Sequence, residues 1–224
     1  FMKKYIMMAG LALGATGFIV TSTQSCVAVA TTVGLPIIKK ILIGGITKGL
    51  GIFKNKESFL ANGLIDKALP EQLKSINSTL EKIGLNNLVT KEKSYIADAA
   101  AFITPIAEPI LVNTVQNMTS EDAQKIANGG KGAATAYLRE KAATQLMSAI
   151  APKVDAKLNE YGIVKTINTA LQGNSFLGAL TGNQTSTASS SLSKLASEQL
   201  VNGLFNIIEN HENTSPENPL NFIK

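Results

Sequence analysis

The sequence has no Trp, a single Cys, a single His and few aromatic residues, 5% of its 224. Each scarcity removes a class of function. One cysteine cannot form an internal disulfide. Structural zinc takes four N, S or O ligands at set spacing, and Cys26 and His211 are the only Cys and His in the chain. A nucleophile–His–Asp triad needs its base beside the nucleophile, and no G-x-S-x-G accompanies His211. The formal charge is +5, of which Lys3 and Lys4 supply two, leaving +3 for the rest. That excess is small, and no stripe interleaves aromatic and basic residues, so nucleic acid is not an expected partner. No metal, cofactor or catalytic residue is expected. Runs of β-branched residues with period-two alternation are also lacking, which argues against strands.

What remains is ordinary globular material, 45% hydrophobic and 17% charged, long enough for one domain with a core. The N-terminal region reads as an address. Lys3 and Lys4 are followed by an uncharged, mostly apolar run from Tyr5 to Val20, then by small and polar residues from Thr21 to Ser25. This is the three-part pattern of a secretory signal over residues 1–25, and the run is short for a membrane span. Cys26 follows Ser25 in a context that resembles a bacterial lipobox, which would make Cys26 the lipidated N-terminus. Ala28-Val29-Ala30 offers ordinary signal peptidase a rival site after Ala30. The first reading places the chain on the periplasmic face of a bacterial membrane through a lipid anchor. The second leaves it soluble in the periplasm.

Beyond a tether at 26–34, helical spacing predicts an all-α, single multi-helix bundle over 35–210. Val33 to Phe53 is apolar, glycine-rich and dotted with lysines. Glu57 to Leu69 is expected as one short helix. Pro70 suits a first helical position, and Leu73, Ile76, Leu80 and Ile83 form a stripe ending at Gly84. Thr90 is expected to cap a long helix to about Asn117, which Pro105 and Pro109 should kink or split. Thr119 should cap the next helix, with Glu121 and Asp122 at its positive end, and Asn128-Gly129-Gly130 should stop it. Leu138, Ala142, Leu146 and Ile150 mark another helix, which Pro152 restarts. Ile163 to Leu171 is a short one. Residues 173–191, rich in Gly, Ser, Thr and Asn, read as a flexible loop, and Leu192 to Ile208 as a last amphipathic helix. Residues 211–224 read as a polar tail.

The stretch Met118-Thr119-Ser120-Glu121-Asp122-Ala123, then Ile126, Asn128-Gly129-Gly130 and Ala133 through Arg139, resembles the signature of a bacterial family, domain of unknown function 4197. Pro70-Glu71-Gln72-Leu73, Leu80 to Leu88, Pro152-Lys153-Val154 and Leu200 through Phe205 extend the resemblance over about residues 35–208. It implies an exported, helical, often lipidated protein. The family usually carries a Glu where Ala101 aligns, and its basic C-terminal segment is reduced here to Ser215-Pro216-Glu217-Asn218-Pro219.

Three constellations are candidates for binding. Gly129-Gly130-Lys131-Gly132 before a helix lacks the P-loop spacing and reads first as a tight helix–helix turn with glycines at positive φ; the sharper reading is a weak anion site there with Tyr137 and Arg139 just beyond. In Val33 to Phe53, drawn as a helix, Lys40 falls on the polar side while Gly45 and Gly49 lie within the apolar face. That face suits either close packing of another helix or a bilayer surface. Asp98 and Glu108 lie in an apolar stretch and suit a solvated face; the sharper reading is a polar pocket, or, with Asp122, the carboxylate site of an enzyme. The expectation is an envelope lipoprotein acting as a non-enzymatic interaction or apolar-ligand-binding module for an unidentified envelope protein or apolar ligand. The alternative is a membrane-active protein using segment 33–53.

Overall fold

The structure is a computed structural model, and it describes residues 34–171, 188–218 and 221. The expected signal, Cys26, the Ala30 cut site and most of the tether lie outside these residues. Every regular element among the described residues is a helix. They are α1 (Gly34–Lys54), α2 (Lys56–Leu60), α3 (Gly63–Lys67), α4 (Glu71–Lys82), α5 (Asn86–Gln116), α6 (Ser120–Gly129), α7 (Ala133–Glu160), α8 (Ile163–Leu171) and α9 (Ala188–Thr214).

Four long helices make the core. Helix α5 packs between α1 and α7, and α9 closes the ring by packing between α7 and α1. Their inward stripes, among them Leu42, Ile46, Leu111, Leu138, Leu146, Leu204 and Ile208, are all but sealed from solvent. The contact of α1 with α9 is close because α1 has no side chains there. A Cβ at Gly45 would stand 3.2 Å from the Ile208 Cα, and one at Gly49 would stand 2.6 Å from Leu204 Cδ1. The glycines cost α1 intrinsic helicity, and backbone-close packing offsets that cost. The short helices cover the ends: α3 lies on α9, α4 on α5 and α9, and α6 on α1 and α7.

Several boundaries differ from the sequence-based expectation, each for a local reason. The segment from Glu57 to Leu69 is two helices, because the Asn55 and Asn62 side chains accept from the Ser58 and Leu64 amides at 2.8 and 3.0 Å and start a helix each. Thr90 is not a cap. The chain turns at Gly84, where the Leu85 amide donates to the Leu80 carbonyl at 2.8 Å, and α5 begins directly at Asn86. Helix α5 is unbroken through Pro105 and Pro109. Pro105 has no N–H for the Ala101 carbonyl, and the Thr104 hydroxyl donates to that oxygen instead at 2.9 Å. Helix α7 likewise runs through Pro152 without restarting. Ile83 is exposed, not inward. Of the expected loop at 173–191, residues 188–191 belong to α9, and 172–187 lie outside the described residues. The expected polar tail at 211–224 is also shorter, since α9 continues to Thr214 and Glu212 within it is fully buried.

Candidate functional site

The glycine turn before α7 is an anion site, and the anion is part of the chain. Thr119 ends the preceding connection with a capping box: its hydroxyl accepts from the Asp122 amide, and the Asp122 carboxylate accepts from the Thr119 amide at 2.9 Å. These bonds to Thr119 hold the Asp122 carboxyl below its ordinary range. Helix α6 then stops at Gly130, with φ 74° and ψ −151°, and Gly132 follows at φ 80°. The first is a conformation almost reserved for glycine. The turn leaves the first amides of α7 pointing at Glu212 of α9. Glu212 Oε1 accepts from the Ala134 amide at 3.0 Å, and Oε2 accepts from the Thr135 amide at 2.7 Å and its hydroxyl at 2.6 Å. Orphan donors at a helix start, and the positive end of the helix dipole, receive a buried negative group.

The residues expected around an external anion do not converge. Arg139 leaves the turn. Its Nη1 donates to Asn202 Oδ1 at 2.8 Å and its guanidinium lies 4.6 Å from the centre of the Phe205 ring. Burial there lowers its pKa, with the Glu209 charge opposing. Tyr137 instead lines an open groove of about 360 Å³ between α6 and α7, with Gly129 and Lys125. Burial first, then the Asp122 carboxylate, push the Tyr137 hydroxyl up to about 12. The lysines of this groove are already engaged, Lys125 with Glu121 at 3.1 Å and Lys141 with Glu140 at 3.5 Å. Gly130 does not line it.

On α1, Lys40 is exposed and pairs with Glu217 at 2.7 Å, while Gly45 and Gly49 face α9. His211 is part of α9 and not of a loose tail; its ring abuts Gly44, and burial followed by the Lys48 charge lowers its pKa. Asp98 pairs with Lys56 at 2.9 Å, and Glu108 is exposed. No group of three or more His, Cys, Asp or Glu able to hold a metal ion occurs among the described residues.

Sequence reasoning missed a set of buried polar groups along α4, α5 and α9. Glu92 is 1% exposed and neither carboxyl oxygen has a hydrogen-bond partner. Burial pushes it from 4.5 up to about 7, with the nearby Asn77 amide and the Lys93 charge opposing. Asn77 stands close without meeting hydrogen-bond geometry, and both of its amide atoms are unpartnered. Gln199 Oε1, on α9, is buried and unpartnered as well. Unsatisfied groups of this kind cost roughly 1–3 kcal/mol each, so a native fold keeps few of them. The signal was present. Val89, Glu92, Ile96 and Ile103 form one helical stripe in which only Glu92 is polar, but the flanking Lys91 and Lys93 make the segment read as a solvated face.

A cavity of about 80 Å³ opens beside this set, where Gln199 meets Phe59 of α2, Ile65 of α3 and Ile96 of α5. Leu60, Asp66 and Lys93, all exposed, stand at its mouth.

A family model described as "Protein of unknown function (DUF4197)" matches residues 34–222. The chain belongs to that family. No curated protein matches it, and no solved structure does.

Proposed function

We propose that the chain is an exported envelope lipoprotein, tethered through Cys26 to the periplasmic face of a bacterial membrane, whose helical domain is a non-enzymatic interaction or apolar-ligand-binding module. The observation that carries the module reading is the use of α1. Its apolar face, with Gly45 and Gly49, is spent on α9 in the folded domain. A membrane-active role for segment 33–53 would require α1 to leave the core and expose Leu42, Ile46 and Phe53, which are now sealed. The carboxylates considered for chemistry do not gather: Asp98 is ion-paired and Glu108 faces solvent. Support for the tether comes from sequence, in the uniqueness of Cys26 and the signal pattern before it.

Fractionation and intact mass test the reading together. The wild type should sediment with membranes and carry an acylated Cys26, and Cys26→Ser should move the mature chain to the soluble fraction. A mature chain that begins at Thr31 without lipid would replace the tether with a soluble periplasmic protein.

A further inference from the structure

We propose that the outer face of α5 docks the domain onto a lipid bilayer surface, with Phe102, Pro105 and Pro109 entering the headgroup–acyl boundary. The docking rests on the tether half of the reading above and gives the tethered domain an orientation. By length and composition α5 could cross a bilayer, yet only 44% of its most apolar stretch is buried in the fold. Its inward side, with Ile103, Ala107 and Leu111, is sealed in the core, so the helix does not span. The surplus apolar surface lies on the other side. There Phe102, Pro105 and Pro109 are exposed, with Ile106 and Val112 half-buried beside them. Phe102 is 47% exposed, although a ring of that size is ordinarily well covered. Glu108 is the one charge between residues 101 and 112, and it sits about 100° round the helix from Pro109. A helix that only covers a core turns polar residues to solvent. Docking through this face moves no core residue, unlike the membrane role considered for segment 33–53.

Position, flanks and size point to a bilayer as the occupant. Lys39 Nζ donates to the Gln116 carbonyl at 2.7 Å, which puts the first turns of α1 beside the last turn of α5. Cys26 precedes Gly34 by eight residues, a length that reaches about 29 Å at most. An acyl chain on Cys26 therefore keeps the C-terminal end of the α5 face within that distance of the headgroups. The other end of the face has an amphipathic flank. The Tyr95 and Tyr161 rings stack at 4.2 Å, and the Lys157 ammonium lies 5.1 Å from the Tyr161 ring centre and 5.7 Å from that of Phe102. Apolar bodies with polar tips suit a membrane–water interface. The charges agree in sign with anionic headgroups: Glu160 and Asp98 neutralise Lys157 and Lys56, while Lys39 and the exposed Lys153 stand against Glu108 alone. Size argues against a second copy of the chain. Five outward side chains fall well short of the roughly 20–30 residues a side in a stable protein interface. A contact this small suffices on a tethered domain, because the tether makes the second binding step intramolecular.

The chain has no Trp and one Cys, which makes the test direct. The mature chain from Cys26 onward, with every described helix, is coupled through that thiol to a maleimide lipid. The vesicles are phosphatidylethanolamine and phosphatidylglycerol with brominated acyl chains, which quench only a Trp that reaches them. Phe102→Trp and Pro109→Trp probe the face. Asn210→Trp, exposed on α9 across the ring from α5, is the control. The expected result is blue-shifted emission at both face positions, with quenching at least about twofold that of Asn210→Trp. Equal quenching at the three positions would overturn the proposal. So would dimerisation of the uncoupled chain that Phe102→Gln abolishes, which would assign the face to a second copy. The two face probes are read independently, so one that fails to fold leaves the other. Coupling supplies the tether chemically, so this result stands apart from acylation in the cell, which intact mass of the native chain reads separately.

Discussion

Glu212 accepts hydrogen bonds from both the amide and the hydroxyl of Thr135, 77 residues earlier in the chain, at 2.7 and 2.6 Å. The carboxylate has no contact with solvent, and the three donors at the start of α7 are its counterparts. Removing it strands those donors in the interior. Glu212→Ala should therefore destabilise the domain by roughly 2–4 kcal/mol, and Glu212→Gln, which keeps one acceptor oxygen, by about 1–3 kcal/mol. Urea denaturation should show lower midpoints at unchanged slope. If both variants stayed within about 0.5 kcal/mol of wild type, the contact would contribute no stability.

Glu92 gives the domain a pH dependence of known sign. Its carboxyl is raised from 4.5 to about 7 in the folded state, so the folded protein holds this proton more tightly than the unfolded chain does. The stabilisation is full below about 4.5 and is lost as pH rises to about 7, on the order of 3 kcal/mol in total. Glu92→Gln has no proton to lose and should flatten this part of the profile, leaving the variant more stable than wild type at pH 8. Denaturant midpoints between pH 4.5 and 8 check it, and parallel profiles for the two proteins would contradict it.

Gly130 and Gly132 should respond unequally to substitution. Gly130, at φ 74° and ψ −151°, is in a region that side chains avoid, so Gly130→Ala should cost about 1–3 kcal/mol. Gly132, at φ 80° and ψ 0°, is left-handed in a way asparagine tolerates, and Gly132→Asn should cost less. The Glu209 carboxylate, 3.1 Å from where a Cβ would stand, has a flexible stem with which to yield. Thermal unfolding of both variants gives the order, and the reverse order would contradict the assignment.

Gly45→Leu separates core packing from membrane contact on one protein. The new side chain would meet the Ile208 backbone, so the domain should lose about 1–3 kcal/mol by overpacking. Liposome binding of the unlipidated protein should not change. Unaltered stability with stronger liposome binding would favour the membrane-active role.

The helices were legible because the chain states them locally. The stripe Leu138, Ala142, Leu146, Ile150 and the Thr119 cap need only their own neighbours, and both stand as expected. The glycines were legible as a tight helix–helix turn at positive φ, but the carboxylate that its amides receive was not. Nothing within α7 points to residue 212, and a carboxylate among Asn, His and Glu reads as tail until α9 is seen to extend over the turn. The split expected at Pro105 is absent for a similar reason. Pro105 does remove a donor, yet the residue just before it, Thr104, returns one through its hydroxyl. Glu92 was hidden by its lysine neighbours, and the Gln199 cavity by distance, since its walls come from four separate elements.

The close pairing of Gly45 with Ile208 also sets an order of events. Helices α1 and α9 are the first and last of the described helices, and the ring α1–α5–α7–α9 has no closed core until both are present. A chain delivered from its N-terminal end holds α1, α5 and α7 with one apolar side uncovered, and the start of α7 lacks its carboxylate, until residues 200–212 arrive. Long-range closure of this kind slows folding and leaves partly made chains open. Nascent chains truncated before α9 should thus be digested by protease throughout, and resistance should arise in one step once α9 is complete.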